Sequence, residues 1–67
     1  MKLKDFIANR NFDVNADYKV YHGIWNDGGE CIWDSIMGRL SQDDLVAQYD
    51  ISYVTTDDTG RIIIEVE

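Results

Sequence analysis

The chain has 67 residues, 45% of them apolar, and thirteen acids against six bases give it a formal charge of −7. One cysteine, Cys31, excludes an internal disulfide, and one histidine leaves no Cys/His set that could hold a structural zinc. A chain this short buries only about 60% of the surface its unfolded form exposes, so residues 1–67 read as one domain that stands on its apolar core.

The acidity belongs to the second half. Met1 to Arg39 carries six acids and five bases, whereas Leu40 to Glu67 carries seven acids and one base. A field of that sign repels nucleic acid and anionic membrane and steers the chain toward basic protein surfaces. Net negative charge also keeps a small domain soluble, which is the plainer account of it. The opening Met-Lys-Leu-Lys-Asp is charged and no leader-like apolar run follows it, so the expected location is cytoplasmic, with Cys31 reduced.

In chain order, Leu3, Phe6, Ile7 and Arg10 recur at helical spacing and predict a short helix over residues 2–10. Phe12 and Val14 are expected to plug one end of the core. From Tyr18 to Trp25 the residues alternate as in a strand, and Asn26-Asp27-Gly28-Gly29 offers a two-residue type I′ turn at Asp27-Gly28. That register places Val20, His22, Ile24, Cys31 and Trp33 on a core face. It puts Lys19, Tyr21, Trp25, Glu30, Ile32 and Asp34 on the other. Ile36 and Met37 extend this strand or turn the corner, and Gly38 ends it.

Ser41-Gln42-Asp43-Asp44 has the form of a helix capping box, with Leu40 and Leu45 at hydrophobic-staple spacing, and predicts a helix over residues 42–48. The last stretch, residues 50–67, holds two runs of strand formers around Asp57-Asp58-Thr59-Gly60. It reads as a hairpin with Gly60 in the left-handed position of a bulged turn. The expected fold is α+β: a small antiparallel sheet of two hairpins with two short helices, in the order α-β-β-α-β-β. If Ile62-Ile63-Ile64 lies on an edge, it forms an adhesive strip for a homodimer.

No constellation in the chain has the spacing of a known chemistry. His22 and Cys31 on one strand face would start a metal or thiol site, but no third ligand or oriented base accompanies them. Asp43/Asp44 and Asp57/Asp58 are adjacent carboxylates in a cap and a turn, where both stay ionised, and Asp57-Asp58-Thr59-Gly60 lacks the context of an aspartic protease. Gly28-Gly29 lacks the lysine and following helix of a phosphate loop. Lys2, Lys4, Arg10 and Lys19 make a small basic area against an acidic whole, too little for nucleic-acid binding. Tyr21 and Trp25, beside Glu30 and Asp34, have the composition of a protein-binding hot spot unless a helix covers them.

The opening Met-Lys-Leu-Lys-Asp-Phe-Ile, then Tyr-Lys-Val-Tyr and Glu-Cys-Ile-Trp, and finally Ile-Ser-Tyr-Val with Ile-Ile-Ile-Glu-Val resemble short proteins carried by phages and integrative elements of Gram-positive gut bacteria. The likeness spans most of the chain through apolar spacing. It implies a small accessory protein of a mobile element, a class that includes anti-restriction and anti-CRISPR factors, several of them acidic DNA mimics. It carries no catalytic residues. The expected function is a non-enzymatic interaction module, an anti-defence inhibitor that presents carboxylates to a basic protein. Its surface would comprise Asp43, Asp44, Asp50, Asp57 and Asp58, with Tyr21 and Trp25 as anchors, and no metal or cofactor. The second reading is a structural homodimer paired through the isoleucine strand. The third is thiol or metal chemistry at His22 and Cys31.

Overall fold

A computed structural model describes residues 1–9 and 16–67 of the protein. Arg10, Phe12 and Val14, which the sequence assigns to the first helix and its connector, lie outside the described residues. The elements are α1 (Leu3–Ala8), β1 (Tyr18–His22), β2 (Glu30–Asp34), β3 (Ile51–Thr56) and β4 (Ile62–Val66). Single 3-10 turns span Ser35–Met37 and Val46–Gln48. The α+β class holds. The sheet, however, is mixed rather than antiparallel, with strand order β2-β1-β4-β3. Each hairpin is antiparallel, and the two are joined by a parallel pairing of β1 with β4, Tyr18 opposite Ile62 through His22 opposite Val66.

One sheet face carries the core. Tyr18 and Val20 of β1 and Ile64 and Val66 of β4 are buried there beneath Leu3, Leu40 and Ala47. Phe6 and Ile7 of α1 and Val46 pack around them, with Ile32 and Trp33 of β2 and Ile51 of β3 at the margins. Leu3 is buried and aligned with Phe6 and Ile7, as the helical spacing requires. Six residues cannot sustain a helix alone, so α1 depends on this packing. Its start is tied down by three contacts. Leu3 N–H donates to Tyr49 O (2.9 Å), Ile51 N–H donates to Met1 O (2.9 Å), and Lys2 Nζ donates to Gln48 O (3.1 Å).

The triplet Ile62-Ile63-Ile64 is not an edge. Strand β4 is flanked by β1 and β3, so it has no free side on which a second copy could pair. Residues Ile63 to Val66 are all buried, on alternating faces. A continuous apolar run is the expected signature of a strand covered on both faces.

The second predicted helix does not form. Ser41 Oγ accepts from Asp43 N–H (3.2 Å) and Asp44 Oδ1 from Val46 N–H (3.0 Å), so each side chain closes a local turn in place of a capping box. Two consecutive aspartates favour such turns over helix propagation. The staple also fails. Leu40 turns inward while Leu45 is 84% exposed, and Ala47 takes the buried position.

The loop of the first hairpin is longer, and its ladder shorter, than the turn signal suggests. Strand β1 ends at His22, which pairs with Glu30, and residues 23–29 form the loop. Two backbone groups of that loop are committed to β4: Gly23 N–H donates to Val66 O (3.1 Å) and Trp25 N–H to Glu65 Oε2 (3.3 Å). Gly29 N–H closes the loop on Ile24 O (2.7 Å), and a Cβ at Gly29 would sit 2.5 Å from that oxygen, so glycine is required there. As a result His22, Ile24 and Cys31 are exposed, and of the expected core face only Val20 and Trp33 point inward. The second hairpin follows its sequence. Gly60 has φ +85°, and Asp57 N–H and Gly60 N–H bond Arg61 O and Asp57 O. A bulge between Ile51 and Tyr53 moves Ile51 from the face of Tyr53 and Thr55 to the core face.

Among the described residues, no helix is long and apolar enough to cross a membrane. The packing predicts the energetic ranking of three variants in urea unfolding. Ile64→Ala should cost about 2–5 kcal/mol, close to the whole stability of a domain this small. Tyr18→Phe, which leaves the buried Leu40 N–H without its 2.7 Å acceptor, should cost about 1–3 kcal/mol. Leu45→Ala should fall within about 0.5 kcal/mol of wild type.

Candidate interaction surface

The five aspartates singled out in the sequence fall into two groups that the fold does not bring together. Asp43, Asp44 and Asp50 lie in the segment leading into β3, and Asp57 and Asp58 at the turn leaving it. Six extended residues separate the groups, a span of roughly 20 Å. The carboxylates also differ in what they do. Asp57 Oδ1 accepts from Thr59 N–H (2.9 Å), Thr59 Oγ1 (2.7 Å) and Arg61 N–H (3.0 Å), so it organises the turn. Asp44 holds the Val46 turn, and Asp50 lies 3.6 Å from Lys2 Nζ. Asp43 and Asp58 are exposed.

Tyr21 and Trp25 are half-buried on the side of the sheet away from α1. Pairing across all four strands aligns Cys31, Tyr21, Glu65 and Tyr53 in one row of that face, and Asp34, Lys19, Ile63 and Thr55 in the next. Ile63 is fully buried and Glu65 is 8% exposed, its carboxylate held by the Trp25 N–H. Tyr53, at 58%, is the most exposed aromatic of this row. Sequence alternation groups Tyr53 with Ile51, and the bulge that separates them leaves no mark that the alternation would show.

Charge compensation inside the fold is concentrated on one carboxylate. Asp34 Oδ1 accepts from Arg61 Nη2 at 2.6 Å, and Lys19 Nζ stands 4.0 Å from Asp34 Oδ2. The Ile36 N–H, with Arg61 and then Lys19 adding to it, holds the Asp34 carboxyl below its ordinary value near 3.8. Asp57 is likewise lowered, first by the Thr59 hydroxyl and then by the N–H groups of Arg61 and Thr59. The same Asp34 contact raises Arg61. Arg61, the one base after Arg39, is thus drawn to an acid of the first half. Among the described residues the ion pairs engage only Asp34 and Asp50, which leaves the carboxylates of the second half largely uncompensated.

His22 and Cys31 do not share a face. His22 pairs with Glu30 and its ring lies 5.3 Å from that of Tyr49, tilted by 47°, whereas Cys31 pairs with Tyr21, one position out of phase. Among the described residues no group of three His, Cys, Asp or Glu side chains converges. The depression of about 340 Å³ lined by Leu45, Gln48 and Tyr49 is shallow and apolar, without a titratable cluster.

The lowered carboxyls of Asp34 and Asp57 set a pH dependence. A carboxyl lowered in the folded state contributes stability that is present above its unfolded value and lost as pH falls through the folded one. Thermal melts of wild type should therefore lose Tm below about pH 4, and Asp34→Asn and Asp57→Asn should each show a lower Tm at pH 7 and a flatter acid limb. An acid limb in both variants as steep as in wild type would show that these contacts do not govern it. No protein-family model matches the chain, and no curated protein or solved structure does either.

Proposed function

We propose that this protein is a protein-interaction module that binds the basic, nucleic-acid-contacting surface of a partner protein, as an anti-defence inhibitor of a mobile element would. The observation that carries the reading is the charge arrangement. Seven acids and one base occupy residues 40–67, and that base, Arg61, is bonded to Asp34. The field on the β3 side is therefore directed to solvent rather than neutralised within the fold. Among the described residues of the second half, Asp43, Asp58 and Glu67 are exposed carboxylates outside the hydrogen bonds and ion pairs of the fold, and Asp50 adds a fourth beside Lys2. Tyr53 and Tyr21 supply amphipathic surface of the kind that anchors protein interfaces.

Electrostatic capture of this kind has a direct signature. Immobilised protein incubated with nucleic-acid-depleted lysate should retain basic proteins near 0.05 M salt. It should release them by about 1 M, where the screening length falls to about 3 Å. An oligonucleotide should compete for the same partner, and Asp43→Asn/Asp58→Asn should weaken retention without lowering Tm. Retention that is indifferent to salt and to both substitutions would refute the proposal.

A further inference from the structure

The sheet has two edges, and they are built differently. Both carry a bulge, at Ile32 in β2 and at Ser52 in β3, but the β2 edge is also bounded by Glu30 and Asp34 and has Trp33 donating to Gly38 O at 3.1 Å. The β3 edge, Ile-Ser-Tyr-Val-Thr-Thr, holds no charge, no proline and no glycine. Such a run of strand formers is what an added strand pairs with.

The hydrogen-bond pattern identifies which backbone groups are open. Asp57 N–H bonds Arg61 O, so Asp57/Arg61 is a hydrogen-bonded pair, and by alternation so are Thr55/Ile63 and Tyr53/Glu65. The N–H and C=O of Val54 and Thr56 therefore point away from β4. At the start of the same edge, Ile51 N–H is already taken by Met1 O, and Lys2 bridges Asp50 in the antiparallel sense. The chain's own first residues thus begin an antiparallel ladder on this edge. Among the described residues, nothing continues it along Val54 and Thr56. Val54 is 38% exposed, and Asp57 and Asp58 stand at the far end of the strand.

We infer that the outer edge of β3 takes an extended segment of the basic partner as a fifth strand, antiparallel to β3. Its β-branched middle would lie on Val54 and Thr56, and its basic N-terminal end beside Asp57 and Asp58. The orientation follows from the ladder begun by Met1–Leu3, and the basic end follows from the charge at the turn. The inference rests on the proposed basic partner and supplies its mode of docking, in which main-chain bonds give affinity and the flanking charge gives direction.

The test uses the full chain and a C-terminally amidated synthetic peptide of two lysines followed by alternating threonine and valine. At saturating peptide, amide exchange at Val54 and Thr56 should slow about tenfold or more, with the amides of Tyr53 and Thr55 unchanged. The reversed peptide, with its lysines at the C-terminal end, should bind more weakly. Val54→Pro removes an outward N–H that the β4 ladder does not use, so the fold should persist while peptide binding falls by about tenfold or more. Salt-sensitive peptide binding that leaves both amides exchanging as before overturns the edge site, as does a folded Val54→Pro variant that captures lysate proteins like wild type. Neither result touches the electrostatic proposal, which fails separately on salt-indifferent capture. Protection of both amides without peptide, together with concentration-dependent sedimentation, overturns the basic segment as occupant in favour of a second copy.

Discussion

The parallel pairing of β1 with β4 is the constraint on which the rest of the structure depends. It joins residues 18–22 to residues 62–66, partners 44 positions apart in the chain, and it makes the two strands with the most buried side chains the centre of the sheet. Everything else is placed by reference to that pair. Each hairpin supplies one inner and one outer strand. The segment between the hairpins returns over the core face with Leu40 and Ala47, and α1 closes that layer with Leu3. Tyr18, at the start of the pair, links the layers. Its N–H donates to Ser35 Oγ (3.0 Å), its hydroxyl accepts from Leu40 N–H (2.7 Å), and Arg39 lies over its ring at 4.9 Å. A contact set of such sequence separation forms late relative to the local hairpins, because loop-closure entropy opposes it until both are in place.

The same pairing explains why local signals fail where they do. The Asp27-Gly28 turn would extend the first hairpin to Trp25, but β1 has to end at His22 because β4 ends at Val66. The loop then spends the N–H groups of Gly23 and Trp25 on Val66 and Glu65. The capping box at Ser41 has the right residue types, yet residues 41–50 need only reach from Leu40 to Asp50 while burying Ala47. Two short turns made by Ser41 and Asp44 accomplish that without a full helix. The closing hairpin has no such competitor. Its Asp57 carboxylate satisfies three donors within the turn itself, and Gly60 accepts the positive φ.

Electrostatics and topology bear on the proposed surface together. Asp34 gathers Arg61 and Lys19 on one side of the sheet. Of the acids of the second half, Asp43, Asp50, Asp58 and Glu67 are left facing solvent around an uncharged edge strand. A central β4 leaves β3 as the outer strand of the acidic half, so the strand-pairing capacity and the negative field occupy the same margin. Burying the isoleucines in the centre also removes from the surface the residues with the greatest tendency to self-associate.

The sequence by itself determined the class of this protein: a small α+β fold, strongly acidic in its second half, with two hairpins and a short leading helix. Those features follow from local periodicity, turn chemistry and charge, which are properties of neighbouring residues. The positions of Gly60 and of the helical face of Leu3, Phe6 and Ile7 are of this kind. Only the tertiary structure decided the strand order, the mixed sheet and the face that α1 covers. It alone placed Tyr53 on an outer strand and Ile63 at the centre. Each of these depends on which distant strand lies alongside, and a two-residue period reads the same in a central strand as in an edge strand. The dispersal of the five aspartates to opposite ends of β3 has the same origin, since their spacing in the chain says nothing of the extended strand that separates them.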